Sequence, residues 1–305
     1  MHVGECDFGT TVWPKQGNGA DSCYRAGSCV KVGVGGHPWL IATSDRRIPM
    51  TKRDYEQEWR DAGYPEGMGS AKFLPPPDRN FIRAYHLTSS DYGISSISLS
   101  RLKVARFSEA NDPFELTAFN SHNREIRRLL RRFNVSQNSK MGLLCFSRNW
   151  TEPLLWSHYA SKHEGICLGF DLRRGNEVQE VRYEKKRSRV RFGTGEGAQS
   201  FGTDLQDLLL RTKYVGWKYE QELRRFVDLS KSKQEDGLYF LPFDEDLRLR
   251  EIILGERNGL SLEAVRALAK ATNPGAVVFK TRLEFKAYRI VGDGKYPPEI
   301  PTDTA

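Results

Sequence analysis

The side chains best suited to chemistry lie in three separated segments: Tyr85-His86-Leu87-Thr88, Trp156-Ser157-His158-Tyr159-Ala160 and Trp217-Lys218-Tyr219-Glu220-Gln221-Glu222-Leu223-Arg224. A histidine on a strand, an aromatic-rich segment and two carboxylates spaced i, i+2 make a set suited to holding a nucleotide. Breaking a bond to ribose passes through a sugar cation, as glycoside hydrolysis does, so such a site sets negative charge beside a rigidly held ring. Glu222, or its neighbour Glu220, would accept from a ribose hydroxyl and stabilise that cation. On one strand the two carboxylates would share a face. His86 would orient a ribose hydroxyl, helped by Thr88 on the same face. Tyr159 or Trp156 would stack on a planar base. Arg83 or Arg224 would grip a pyrophosphate, which suits the guanidinium fork.

Each assignment has a structural rival. Glu220 or Glu222 could simply be paired with Arg224 across a sheet. His86 could be a satisfied core histidine, and Trp156 and Trp217 could be packing residues. Asn111-Asp112-Pro113 reads as an Asx turn and helix start, or as a polar cluster facing a cleft. His158 and His163 stand five apart, off the spacing that sets two ligands on one helical face. The five cysteines lack CxxC spacing, and His37 beside Cys23 and Cys29 does not complete a zinc set. No metal and no disulfide framework is expected. Cys145 and Cys167, inside apolar runs, read as small buried hydrophobes.

Composition narrows the rest. A chain of 305 residues can bury a substantial core. No apolar run is long enough to span a membrane, and the first residues carry neither the basic start nor the apolar stretch of a signal peptide, so a cytoplasmic location is the expectation. The formal charge is +8, from 47 Lys+Arg against 39 Asp+Glu. The excess is clustered: Arg124, Arg127, Arg128, Arg131 and Arg132 in one helix, and Arg182, Lys185, Lys186, Arg187, Arg189 and Arg191 in another stretch. Such clusters attract polyanions; a solvated face is the competing explanation, since the second cluster has little aromatic interleaving, with Tyr183 alone inside it.

The positioning elements follow from periodicity and punctuation. Residues 1–80 are glycine-broken, with a helix expected over 51–62 and a stiff Pro75-Pro76-Pro77 boundary, and read as an accessory or partly disordered region. The main domain is expected over 81–295, with a flexible tail at 296–305. Strands are expected at 81–87, 102–107, 141–147, 165–171, 178–183, 220–228, 238–241, 251–254, 276–280 and 285–290. Helices are expected after the cap at Ser89 or Ser90, from Pro113 through Phe133, over 152–162, over 204–214, and over 260–271 with Ser261 as cap. Consecutive strands without helices between them point to an α+β fold with a mixed, mainly antiparallel sheet flanked by helices.

Tyr85-His86-Leu87-Thr88, Asn111-Asp112-Pro113-Phe114-Glu115, Leu144-Cys145-Phe146-Ser147, Trp156-Ser157-His158-Tyr159, Gly165 to Asp171, Trp217-x-x-Glu220-x-Glu222-x-Arg224 and Ile252-Ile253-Leu254-Gly255 occur in that order. With these motifs the chain resembles, over residues 83–290, the bacterial family called domain of unknown function 2971. The layout is more remotely similar to ADP-ribosyltransferases, whose split site uses a His on an early strand, a Tyr on a middle segment and a Glu near a late strand. That resemblance implies an ADP-ribosyltransferase-like fold, NAD as substrate without a metal, and His86, Tyr159 and Glu222 as the site. The expected function is transfer of ADP-ribose to a macromolecular acceptor, nucleic acid guided by the basic clusters or protein, in bacterial antiviral defence. The alternatives are a non-catalytic nucleic-acid-binding or sensor protein acting through the arginine-rich helix, and a metal-dependent nuclease using Glu220 and Glu222. The oligomeric state cannot be read from the sequence.

Overall fold

The computed structural model describes residues 76–120, 124–175, 177–189 and 203–297, together with Gln57 and Leu74. The remainder of the expected N-terminal region and all of the tail beyond 297 lie outside the described residues. In chain order the elements are β1 (Phe81–Thr88), α1 (Ser90–Leu99), β2 (Arg101–Val104), β3 (Phe119–Asn120), α2 (Arg124–Lys140), β4 (Met141–Ser147), α3 (Pro153–Tyr159), β5 (Ile166–Arg173), β6 (Val178–Glu180), β7 (Arg182–Glu184), β8 (Ser188–Arg189), α4 (Thr203–Arg211), β9 (Thr212–Tyr214), β10 (Glu222–Asp228), β11 (Lys233–Glu235), β12 (Leu238–Pro242), β13 (Leu247–Leu254), α5 (Leu262–Thr272), β14 (Val277–Leu283) and β15 (Ile290–Gly292).

Eight strands form the main sheet in the order β15-β14-β13-β5-β1-β4-β10-β6. Every pairing in it is antiparallel except β13 with β14, which α5 connects as a parallel crossover. The fold is therefore α+β with a mixed, mainly antiparallel sheet. One face carries Ile82, Ala84, Leu144, Phe146, Leu168, Phe170 and Ile252, buried against Ile97 of α1 and Val265 and Ala269 of α5. The other face carries Tyr85, Cys167, Ile253 and Val277, covered by Trp150 and by Trp156 of α3. Ser89 caps α1, its hydroxyl accepting from the Tyr92 amide, and Ser261 caps α5 through the Ala264 amide.

Several expected boundaries move, each for a local reason. The basic helix starts at Arg124 and runs to Lys140, because Asp112 accepts from the Phe114 amide and Leu116 adopts a left-handed φ of 57°, making this stretch a turn. The helix expected to reach Tyr214 stops at Arg211, and Thr212–Tyr214 pairs in parallel with Arg182–Glu184. The strand expected over 178–183 splits, its first part edging β10 and its second joining β9. Residues Val215–Glu220 form a 3-10 turn that ends in Gln221 with φ 43°, so β10 begins at Glu222 and Glu220 is not on a strand. Among the described residues after Leu283 only Ile290–Gly292 is strand, and Phe285 and Tyr288 stand exposed.

A buried charged row crosses the centre of the sheet. Tyr85 on β1 and Glu251 on β13 are both neighbours of Gly169 on the intervening β5. A Cβ on Gly169 would stand 2.7 Å from Glu251 Oε2 and 3.0 Å from the Tyr85 ring, so the missing side chain lets the carboxylate and phenol approach each other. Glu251 pairs with Arg83 at 3.2 Å, and Arg83 donates to Asp171 at 2.5 Å, with Glu251 and Arg83 both sealed from solvent. Gly169→Ala overpacks this row and is expected to lower stability by about 1–3 kcal/mol, read as a reduced urea midpoint. An unchanged midpoint would show that the row has slack.

Candidate active site

The cavity arises from a break in the sheet. β1 pairs with β5 along its whole length and β4 pairs with β10 along its whole length, but β1 and β4 meet only at Tyr85 and Ser147. Further along β4, Leu143 bridges instead to Ala105 beyond β2. A cavity of about 260 Å³ lies between the two diverging strands. His86 and Leu87 line it from β1, Cys145 from β4, Glu222 and Arg224 from β10, Tyr159 from the end of α3, and Asn111 and Glu115 from the turn before α2. Residues far apart in sequence thus meet at one hollow: His86, Tyr159, Glu220 and Glu222.

The charged wall of this cavity is a continuous chain of ionic hydrogen bonds. Glu115 accepts from Arg224 Nη1 at 2.6 Å and Nη2 at 3.0 Å. Arg224 also donates to Glu222 through Nε at 2.8 Å and to the Leu210 carbonyl at 2.7 Å. Lys213 bridges Glu222 at 3.0 Å and Glu220 at 2.5 Å. The Tyr159 hydroxyl donates to the other Glu220 oxygen.

The two carboxylates that sequence spacing treated as equivalents differ in these surroundings. Burial pushes the Glu222 carboxyl up, but Arg224 and then Lys213 outweigh it and hold the group at about 2. Glu222 is therefore ionised across the neutral range and paired with a guanidinium. Burial raises Glu220 above the usual carboxylate range, with Lys213 and Tyr159 only partly offsetting it. Burial likewise raises Glu115 despite Arg224. The Tyr159 hydroxyl is raised by burial and by Glu220, so it stays protonated and donates. Cys145 has accessible surface only toward the cavity, where the surrounding wall keeps it from bulk water; this desolvation, and then the neighbouring Glu222, raises its thiol above the usual range, which disfavours a nucleophilic thiolate. Cys145 was expected to be buried; it opens onto the cavity, whereas Cys167 is buried.

His86 Nδ1 lies 2.9 Å from the Cys145 carbonyl, and its ring edge meets Phe146 at 5.9 Å between centroids. A carbonyl oxygen only accepts, so Nδ1 carries the proton. Burial lowers the imidazole's affinity for a second proton, which leaves neutral His86 with Nε2 as an acceptor.

The other expected ligand-binding residues are placed elsewhere. Trp156 is fully buried, donates its indole N–H to the Trp150 carbonyl at 2.6 Å and stacks on His163, so it packs the core and no base can reach it. Arg83 belongs to the buried Asp171–Glu251 row, and its guanidinium is unavailable to a pyrophosphate. Thr88 ends β1 opposite Ile166, away from the cavity lining. Arg224 lines the cavity, but its guanidinium is taken by Glu115 and Glu222. Trp217 lies beneath Lys213, whose ammonium is 5.1 Å from the ring centroid. Arg124, Arg127, Arg128, Arg131 and Arg132 are exposed along α2. Among the described residues no group of three or more His, Cys, Asp or Glu side chains is placed to hold a metal ion, and no helix is long and apolar enough to cross a membrane.

Sequence reasoning missed Lys213 and Glu115. Lys213 was read as part of a helix, where its side chain had no reason to meet Glu220; its place in a short strand before the 3-10 turn creates the contact. Glu115 is in one of the ordered motifs, three residues before a buried alanine, but nothing in its spacing identifies Arg224 as its partner.

Three consecutive left-handed residues follow α3: Ser161, Lys162 and His163, with φ of 46°, 55° and 75°. The Gly165 amide donates to Ala160, and the Arg257 amide donates to the His163 carbonyl at 3.1 Å. A Cβ on Gly255 would stand 2.1 Å from that carbonyl, so only glycine permits the approach. This knot fixes where α3 ends and hence where Tyr159 points.

The fold and cavity define a protein with a small, charge-lined, ligand-sized hollow at a sheet discontinuity. The family described as Protein of unknown function (DUF2971) matches residues 155–225, a segment that carries Tyr159, Lys213, Glu220, Glu222 and Arg224. No curated protein matches, and no solved structure matches.

Glu222→Gln leaves Arg224 and Lys213 without their shared charge and is expected to cost about 3–5 kcal/mol. Because its folded pKa is depressed, the stabilisation from Glu222 is fully present above the ordinary carboxylate range and is lost as pH falls toward about 2. Urea unfolding of parent and variant should therefore differ most above pH ~5 and converge in acid; a difference that stays constant with pH contradicts the ionic role.

Proposed function

We propose that the cavity holds the ribosyl end of NAD and that the protein cleaves the bond to nicotinamide, transferring ADP-ribose to an acceptor in the manner of an ADP-ribosyltransferase. The observation that carries this reading is the meeting of His86, Tyr159 and Glu220 at one hollow in the gap between β1 and β4. At about 260 Å³ the hollow is slightly below the usual size range of drug-sized pockets, about 300–1,000 Å³, which suits a sugar and its immediate substituent with the rest of a dinucleotide running outward.

The chemical roles differ from those that spacing alone proposed. Of the two acids to which this part was offered, Glu220 takes it: each of its oxygens accepts one protein donor and keeps a further lone pair for a ribose hydroxyl. Its charge faces the cation that develops as the carbon–nitrogen bond breaks and the electron pair leaves with neutral nicotinamide. The acceptor's nucleophile then forms the new bond to that ribose carbon, and Glu220 takes its proton. His86 Nε2 accepts from a second ribose hydroxyl, and Tyr159 positions Glu220. Arg224, Glu222 and Glu115 are the scaffold that holds Lys213 in place.

One observation favours a second reading, a nucleic-acid-binding protein without catalysis: all five arginines of the α2 cluster are exposed. In that case charge reversal at Arg127 and Arg131 abolishes binding while the cavity variants change nothing.

Incubation with NAD, followed by chromatography of released nicotinamide, separates the two. The parent should release nicotinamide, and Glu220→Gln should slow release by about 10²–10³-fold with folding intact. The rate should fall with decreasing pH as Glu220 is protonated, and this loss should begin above the ordinary carboxylate range because burial raises that group. No release by the parent, in the presence of cell extract as a source of acceptors, overturns the enzyme reading.

A further inference from the structure

A second cavity, of about 230 Å³, shares Lys213 in its lining with the first. It is built where the β7–β9 pair meets the turn before α2. Two exposed aromatic rings line it, Phe114 at 51% and Tyr214 at 52%. Neither ring is loose. The Arg187 guanidinium lies 4.7 Å from the Phe114 centroid, and Tyr214 lies against Gly216, where a Cβ would stand 2.7 Å from the ring. Lys185 and Lys186 line the same cavity, are exposed, and form no ion pair among the described residues. Among the described residues Glu184 is the one carboxylate in the lining. Thr212, only 6% exposed, also lines the cavity, and its hydroxyl has no partner among the described residues.

Exposed ring faces held in place beside unpaired cations match one ligand chemistry, a planar base attached to a phosphate backbone. Within the basic stretch at 182–191 the sequence itself supplies only Tyr183, and folding adds Phe114 and Tyr214 beside it. A duplex hides the base faces that these rings would cover, so the fit is to an unpaired strand. We propose that this cavity is a binding site for single-stranded nucleic acid, with a base against Tyr214 or Phe114 and phosphates against Lys185 and Lys186. Since Lys213 lines both cavities, a strand held here lies one side chain away from the Glu220 hollow. Its role as the acceptor of ADP-ribose rests on the reading given above; its binding does not.

The full chain, without NAD, is titrated against a fluorescein-labelled single strand of about twelve nucleotides over a series of salt concentrations, with anisotropy as the readout. Tyr214→Ala should weaken binding about tenfold or more, while Tyr214→Trp, which keeps a stacking face, should bind as the parent does. The Lys185→Ala/Lys186→Ala double variant should make the slope of log affinity against log salt shallower by about 1.4, or about 0.7 for each phosphate contact. No binding by the parent, or equal binding by the parent and Tyr214→Ala, overturns the proposal. Loss of binding through Arg127→Glu/Arg131→Glu alone would assign the strand to α2 instead. Strand binding that depends on Tyr214, without nicotinamide release, would remove the NAD reading and leave this site in place.

Discussion

One chain of buried charge, Glu115–Arg224–Glu222–Lys213–Glu220, holds the candidate site together. Its members come from the turn before α2, from β9, from the 3-10 turn and from β10. Removing charges from water is costly, and the geometry compensates only because almost every donor and acceptor is met, including the Leu210 carbonyl by Arg224. Such a network fixes the register of its elements, because a shift of one side chain leaves a buried charge alone.

That constraint separates the two acids by role. Glu222, between a guanidinium and an ammonium, is fully occupied as a counter-ion. Glu220 shares only the ammonium and a phenol, and its carboxyl is displaced in the opposite direction. Paired titratable groups pushed apart in this way are how a site assigns one group to hold charge and the other to exchange protons or meet a developing cation. The divergence of β1 from β4 supplies the hollow, and the backbone carbonyl of Cys145 sets the tautomer of His86 there.

The sheet was legible because its strands are short apolar runs bounded by turn residues: β4 was expected over the residues it occupies, and the caps at Ser89 and Ser261 mark the starts of α1 and α5. The site was legible as three motifs, and the structure brings residues of all three to one cavity. Spacing misled at two points. The i, i+2 relation of Glu220 and Glu222 suggested a shared strand face, but Gln221 adopts a left-handed conformation and turns the chain between them. The aromatic Trp156 and the basic Arg83 looked available only because burial is a property of the fold, not of residue type. Contacts that depend on where β9 begins, above all Lys213 to Glu220, carry no local signal.

The left-handed knot after α3 has a consequence for the order in which the protein is made. Ser161, Lys162 and His163 adopt a conformation that costs roughly 1–2 kcal/mol per residue for ordinary side chains. What holds them there is in part the Arg257 amide and the bare backbone of Gly255, nearly a hundred residues downstream. During synthesis, Tyr159 therefore leaves the ribosome long before its anchor exists. The nascent chain carries a left-handed turn after α3 whose downstream anchor is present only once Gly255 and Arg257 have emerged.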